Sequence, residues 1–164
     1  MKTLSRQEIF NGVIIKVVKD DVELSNGIKT SREVVYHREA VAVAAVNEAK
    51  EILMVTQYRY AISREMLELP AGLIDEGESP LDAAKRELLE ETGYKADNWK
   101  PLTQIYTSPG SHNEKLHIFS ASDLSRVSNQ SLDEDEIVAF SKIPFEDVLE
   151  MVTAGKIRDA KTII

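Results

Sequence analysis

The chain contains no cysteine, which excludes disulfides and thiolate chemistry. No apolar run comes near the roughly 18 residues that a membrane-spanning helix requires. The first ten residues, MKTLSRQEIF, hold no apolar stretch of the kind that marks a secretory signal. There is no internal repeat, low-complexity tract or Pro/Gly/Ser linker. Positive charge is scarce: 20 Lys and Arg stand against 28 Asp and Glu, a net charge of -8. General nucleic-acid binding needs a basic surface, so that class of partner is excluded. A small phosphorylated ligand is compatible with the charge, because a divalent cation can sit between phosphate and carboxylate. One cytoplasmic domain with no membrane partner is the expectation.

What is present reads as an ordinary globular chain, with 164 residues, 43% of them hydrophobic and 29% charged, enough to bury a core. Residues 11–24 are rich in Val and Ile and read as strand. Asn26-Gly27 supplies the strongest short hairpin signal, with TSREVVYH as the returning strand. AVAVAAV (40–46) is continuously apolar and reads as a buried strand, with EILMVTQYRY (51–60) as the next strand and a candidate partner. The first helix is expected over about 80–92. Ser79 suits an N-cap, Pro80 the first helical position, Asp82 the first turn and Gly93 the C-terminal stop. Leu81, Ala84 and Leu88 make its apolar stripe. PLTQIYT, KLHIFSAS and EIVAF read as later strands, PFEDVLEMVTAG as a second helix and DAKTII as the start of a third. Strands early and helices interspersed later predict a mixed α/β sandwich of the α+β type, not a parallel βαβ fold.

The helix at 80–92 poses a physical problem. Glu87, Glu90 and Glu91 crowd one turn, and like charges so spaced repel by a few tenths of a kcal/mol per pair. Arg86 can pair with Glu90, and Asp82 with Arg86, at four-residue spacing. Glu87 and Glu91 then share a face with no lysine beside them. Such a cluster taken alone is most simply a solvated acidic face. Converging carboxylates also make a hard-oxygen site suited to Mg²⁺ or Mn²⁺.

The surrounding spacing favours the second reading. Gly72 is followed after five residues by Glu78, after seven more by Arg86-Glu87-Leu88, then by Glu90-Glu91 and Gly93. This resembles the Nudix box, the signature of pyrophosphohydrolases that act on a nucleoside diphosphate linked to another moiety. The one departure is Tyr94, where the family usually has an aliphatic packing residue. The resemblance implies a Nudix-like α/β/α sandwich with a mixed sheet and an N-terminal antiparallel hairpin. It implies a single domain over residues 1–164, with the strands of about 1–38 at a homodimer interface. Glu87 and Glu91 are the implied metal ligands, Glu90 assists, and the Ala71 carbonyl is a further ligand. Gly72, Glu78, Arg86 and Gly93 are implied to be structural: Arg86 orients the glutamates and Glu78 pins the loop. The implied cofactor is Mg²⁺, with Mn²⁺ as a possible substitute.

Outside the box, the chain resembles the branch that cleaves ADP-ribose and related nucleoside diphosphate sugars to a nucleoside monophosphate and a sugar phosphate. Pro109 lies sixteen residues beyond Gly93, in an SPG motif followed four residues later by Glu114. Arg59 at a strand end resembles a diphosphate ligand, and Glu68 in ELPAG a nucleoside contact. Arg32 resembles a nucleotide contact. Arg59 as a surface ion-pair former and Glu68 as a turn cap are the bland alternatives, and Pro109-Gly110 also suits a plain type II turn. The branch takes its catalytic base from a loop before a late strand. There Glu136 is the first choice and Glu134 the second, on the same side of an extended chain. Phe10, Tyr36 and Tyr58 could stack on a base, with core packing the commoner role for each. His37, His112 and His117 read as structural or peripheral, His112 being the one in a candidate active-site loop. Relatives carry a longer C-terminal helix than DAKTII, so an opened pocket edge or looser dimer is a further expectation. The alternative readings are a nucleoside triphosphate or dinucleoside polyphosphate pyrophosphohydrolase, and a catalytically inactive nucleotide-sugar sensor.

Overall fold

The computed structural model describes residues 1–132 and 137–164. They form two compact units, Met1–Glu39 with Gln104–Leu116, and Ala40–Thr103 with His117–Ile164. Among the described residues no helix is long and apolar enough to cross a membrane.

The first unit is built on an antiparallel sheet of β1 (Lys2–Asn11), β2 (Ile15–Glu23) and β3 (Lys29–His37), in that order. The β2–β3 hairpin turns at the expected place, but not through a two-residue Asn-Gly turn. Leu24 N–H donates to Ile28 O, Gly27 N–H donates to Leu24 O, and Gly27 alone takes a positive φ, of 83°. This is a tight turn closed by a left-handed glycine, the three-residue hairpin form. The segment after Tyr106 docks on β3: Val35 N–H donates to Ser111 O, and Asn113 N–H to Val35 O.

In the second unit, β4 (Ala40–Ala45) and β5 (Glu51–Arg59) separate two apolar clusters. Val41, Val43, Ala45 and Leu53 face one cluster, together with Ala83, Ala84 and Leu88 of α1 (Pro80–Thr92). Ile52 and Met54 face the other, with Val148 of α2 (Phe145–Thr153) and Ile157. Helix, strand layer and helix thus give the expected α/β/α arrangement. Burial on both faces explains why β4 reads as one unbroken apolar run. β4 and β5 are not ladder partners. β4 lies between β7 (Ala71–Leu73) and β9 (Lys115–Arg126), with β8 (Tyr94–Tyr106) outermost. β5 lies between β6 (Arg64–Glu68) and β10 (Val138–Pro144). Only the bridge Val46–Ile52 joins them, since both edges of each strand are already taken. A last short helix, α3, covers Ala160–Ile163.

α1 begins and ends where its caps dictate. Ser79 Oγ accepts from the Asp82 N–H at 3.2 Å, and Gly93 closes the helix in the left-handed region at φ 75°. Gly93 is required twice over, because a Cβ there would lie 2.4 Å from the Ser128 carbonyl oxygen. Gly93→Ala is therefore expected to destabilise the chain by about 1–3 kcal/mol. A lowered denaturant midpoint at unchanged m would show it; an unmoved midpoint would refute it. Tyr94 packs against the α1 cluster with its ring centroid 5.7 Å from that of Phe140, so the departure from an aliphatic residue is absorbed by packing.

Candidate active site

The second unit collects the box residues around one guanidinium. Arg86 projects from α1 and spends all five of its N–H donors. Nε and Nη2 grip Glu78 Oε1 and Oε2 at 3.0 and 2.9 Å, and Nη2 also reaches Leu73 O at 2.9 Å. Nη1 takes Glu87 Oε1 at 2.7 Å and Glu90 Oε2 at 3.1 Å. Lysine could not hold this fork. The hydrogen bonds that Arg86 donates to Glu78 and then to Glu87 push its guanidinium further above its already high pKa, against the opposing effect of burial. Glu78 in turn accepts from the Asp75 N–H at 3.1 Å, so it ties the loop before α1 to that helix. Asp82 does not pair with Arg86. It caps the helix start with Ser79 and lies 3.9 Å from Lys85, because Arg86 is fully engaged elsewhere.

Glu87 and Glu91 are buried, at 9% and 2% exposure. Glu91 Oε2 accepts from the Ala71 N–H at 2.9 Å, which joins α1 to β7. Gly72 on β7 makes room for Glu87: a Cβ built there would stand 2.1 Å from Glu87 Oε1. The φ of Gly72 is not positive, so space and not backbone conformation demands glycine. Among the described residues no three His, Asp or Glu side chains converge on one point as a ready-made cation cluster. Glu87 and Glu90 meet at Arg86, and Glu91 meets the Ala71 peptide. The donor set nevertheless fits a hard divalent cation. It consists of carboxylates, each with about four lone-pair sites, and the glycine on β7 lets the Glu87 carboxylate lie close against that strand.

The C-terminal end of α1 is closed by contacts the sequence did not announce. Gln130 Nε2 donates to Glu91 O at 2.6 Å and to Val138 O at 3.1 Å, and Ser131 N–H donates to Glu90 O at 2.9 Å. These satisfy carbonyls a helix terminus otherwise leaves open.

Arg59 and Glu68, suggested separately, form one pair. Arg59 Nε and Nη2 fork onto Glu68 Oε1 and Oε2 at 2.9 and 2.6 Å. Glu68 is 1% exposed, and its Oε2 also takes Lys161 Nζ. Burial would raise the Glu68 carboxyl, but Arg59 and Lys161 outweigh it and hold the carboxyl below its usual range. The bond to Glu68 raises the Arg59 guanidinium, with Asp159 and Glu91 adding to the field.

Arg32, Pro109 and Glu114 belong to the first unit. Arg32 is exposed on β3, its Nη1 on Ser31 O at 2.9 Å. Its cross-strand neighbour Asp20 is instead held by Arg6, which also donates to Tyr36 OH at 2.8 Å. Pro109-Gly110 is not a type II turn: Ser111 and His112 N–H both donate to Ser108 O, and Gly110 lacks the positive φ that type requires. Glu114 Oε2 accepts from Thr107 Oγ1 at 2.6 Å, and its Oε1 lies 3.5 Å from His37 Nδ1. Core packing is not the role of the three aromatics. Phe10 and Tyr58 are 54% and 56% exposed, and the half-buried Tyr36 ring carries Arg6 at 5.3 Å from its centroid. His117 is buried on β9, while His112 Nδ1 lies 2.9 Å from Ser111 Oγ. Both candidates for the base, Glu136 and Glu134, lie outside the described residues.

Comparison with known proteins gives four findings. A family model described as NUDIX domain matches residues 36–163. An ADP-ribose pyrophosphatase of Bacillus subtilis (strain 168) is 44% identical over 162 residues, 98% of this chain and 88% of that protein. A methanol dehydrogenase activator of Bacillus methanolicus is 41% identical over 164 residues, 99% of this chain and 89% of that one. A solved structure titled as an ADP compounds hydrolase superposes with a TM-score of 0.88 at 26% identity, covering 99% of this chain and 88% of that chain.

Proposed function

The chain belongs to the Nudix hydrolase family, and from that premise we propose that it hydrolyses the pyrophosphate bond of ADP-ribose or a related nucleoside diphosphate sugar. Water adds across the P–O–P bridge, giving a nucleoside monophosphate and a sugar phosphate. The observation that carries this reading is the arrangement of buried Glu87 and Glu91 beside Gly72, with Arg86 locked to Glu78. The names of the Bacillus subtilis relative and of the superposed hydrolase point to an ADP-containing substrate. The activator's name describes an effect on another enzyme. Every box glutamate is retained in this chain, which favours hydrolysis over a sensor.

Glu87, Glu90 and Glu91, with the Ala71 carbonyl, are the proposed ligands of Mg²⁺, for which Mn²⁺ could substitute. Such a cation supplies Lewis-acid polarisation of the phosphates and a more acidic bound water. Arg86 fixes where the glutamates stand. Arg59 is the proposed diphosphate contact: its Nε–Nη2 edge is committed to Glu68, and Nη1 takes no part in that fork. Arg32, Pro109 and Glu114 are further proposed substrate contacts, and Glu68 holds Arg59.

Residues 1–164 are proposed to act as one domain and as a homodimer through the strands of about 1–38. All ten residues of β1 are exposed, Ile9 and Phe10 each by more than half; large exposed apolar side chains on one strand suit an interface. Sedimentation at twice the chain mass would agree, and a monomer at working concentration would refute it.

The test of function is a panel with Mg²⁺: ADP-ribose, ADP-glucose, GDP-mannose, UDP-glucose, ATP and a diadenosine polyphosphate. ADP-ribose cleaved fastest, to AMP and ribose 5-phosphate, is the expected result. Preference for ATP or the dinucleotide would replace this reading with a polyphosphate hydrolase. For the base, Glu136→Gln is expected to slow kcat about a hundredfold or more with little change in KM. A normal rate there with a collapse in Glu134→Gln would transfer the role.

A further inference from the structure

We propose that Lys161, on the last helix, is a positioning residue for Arg59, acting through the buried Glu68 carboxylate that both cations share. The inference rests on the reading of Arg59 as the diphosphate contact.

The four groups form a chain of alternating charge. Arg59 forks onto Glu68, Lys161 Nζ bonds Glu68 Oε2, and Lys161 Nζ also bonds Asp159 Oδ1 at 2.9 Å. Two cations thus balance two carboxylates. Side-chain exposure separates their roles: 40% for Arg59, but 1% for Glu68, 13% for Lys161 and 15% for Asp159. Arg59 is the member that reaches outward; the others are placed to hold it.

The helix carrying Lys161 is a single turn, too short to persist without tertiary contacts. It is tied down by polar bonds. Asp159 Oδ2 accepts from Thr162 N–H at 3.1 Å and from Thr162 Oγ1 at 2.6 Å, and Thr162 Oγ1 accepts from the Leu69 N–H at 3.0 Å. Glu68 and Leu69 are both held from this helix, and they directly precede the Pro70-Ala71-Gly72 approach to the box.

Removing Lys161 alone has a directional consequence. Asp159 loses its counter-charge and already acts electrostatically on Arg59. It then competes with Glu68 for the guanidinium and turns the fork away from its present edge. Removing the Asp159 charge as well abolishes that competitor. A cation at Lys161 therefore protects the aim of Arg59, which a simple tether for the C-terminal helix would not do.

The experiment compares Lys161→Met, Lys161→Arg, Lys161→Met/Asp159→Asn, Arg59→Ala and Arg59→Ala/Lys161→Met, each for ADP-ribose hydrolysis and thermal unfolding. Lys161→Met is expected to raise KM about tenfold with kcat within about twofold. Lys161→Arg should stay near wild type, and adding Asp159→Asn should bring KM back to within about threefold. In the Arg59→Ala background, Lys161→Met should add nothing, because its effect passes through the missing group. An unchanged KM in Lys161→Met, or a full additional rise in the Arg59→Ala background, would overturn the proposal. So would a lowered Tm with wild-type KM in the folded fraction. Should Lys161→Met fail to fold, the charge-balanced double variant decides: a tenfold KM rise there also overturns it. Wild-type inactivity on ADP-ribose, or Arg59→Ala with normal KM, would remove the underlying reading and this inference together. A raised KM in Arg59→Ala with a normal one in Lys161→Met would overturn this inference alone.

Discussion

Glu91→Gln is expected to lower turnover at least about a hundredfold while the fold survives. Glu91 is 2% exposed, and its Oε2 accepts the Ala71 N–H at 2.9 Å. Glutamine has the same shape and can turn its amide oxygen to that N–H, so the α1–β7 join persists. What disappears is one negative charge from the proposed ligand set. Taking a buried charge from beside Glu87 also relieves repulsion, so thermal stability without metal should hold or rise. Mg²⁺ should stabilise the wild type by mass action, about 2.7 kcal/mol at a hundred times its Kd, and the variant should lose most of that shift. Falling activity with steady or rising stability separates a ligand from a structural carboxylate. Wild-type turnover on every diphosphate tested would overturn the assignment.

Gly72→Ala should be nearly as damaging, though it alters no charge. The added methyl would stand 2.1 Å from Glu87 Oε1, far inside contact distance, so one of the two must move. β7 is fixed by its pairing with β4, where Gly72 lies opposite Val41. The yielding group is therefore the Glu87 side chain, pulled from its 2.7 Å bond with Arg86. Turnover is expected to fall about a hundredfold, with a weaker response of Tm to Mg²⁺. The check is non-additivity: in a Glu87→Ala background the Gly72 substitution should add little, since its victim is already gone. Full activity in Gly72→Ala, or an independent loss added to Glu87→Ala, would show that the close approach does not serve catalysis.

The site was legible to different depths. The helix at 80–92 could be read to the residue, because Ser79, Pro80 and Gly93 act within a turn of where they stand. Side-chain spacing then put Glu87 and Glu91 on one face. Arg86 was legible as an organiser only through resemblance. Spacing suggested Glu90 and Asp82 as its partners, whereas the structure keeps Glu90, leaves Asp82 with Ser79 and brings in Glu78, eight residues back, because the loop after β7 folds over the helix start. β1 was covered only by the resemblance, within the strands of about 1–38: its residues KTLSRQEIFN show no apolar–polar alternation, and all ten are exposed. The pairing of β4 with β5 was the natural guess for adjacent runs, and it failed because each strand had other neighbours on both edges.

Beyond the family resemblance carried by the box, local chemistry written along the chain was enough to specify the first helix, its caps and the acidic face. These features depend on contacts within one or two helical turns, where sequence spacing is spatial spacing. The chain folding back on itself settled the rest: the room Gly72 leaves for Glu87, the closing of α1 by Gln130, and the meeting of Glu68 with Lys161 from 93 residues away. A buried carboxylate takes whichever cation the packing delivers, and no local pattern in the sequence announces which one that will be.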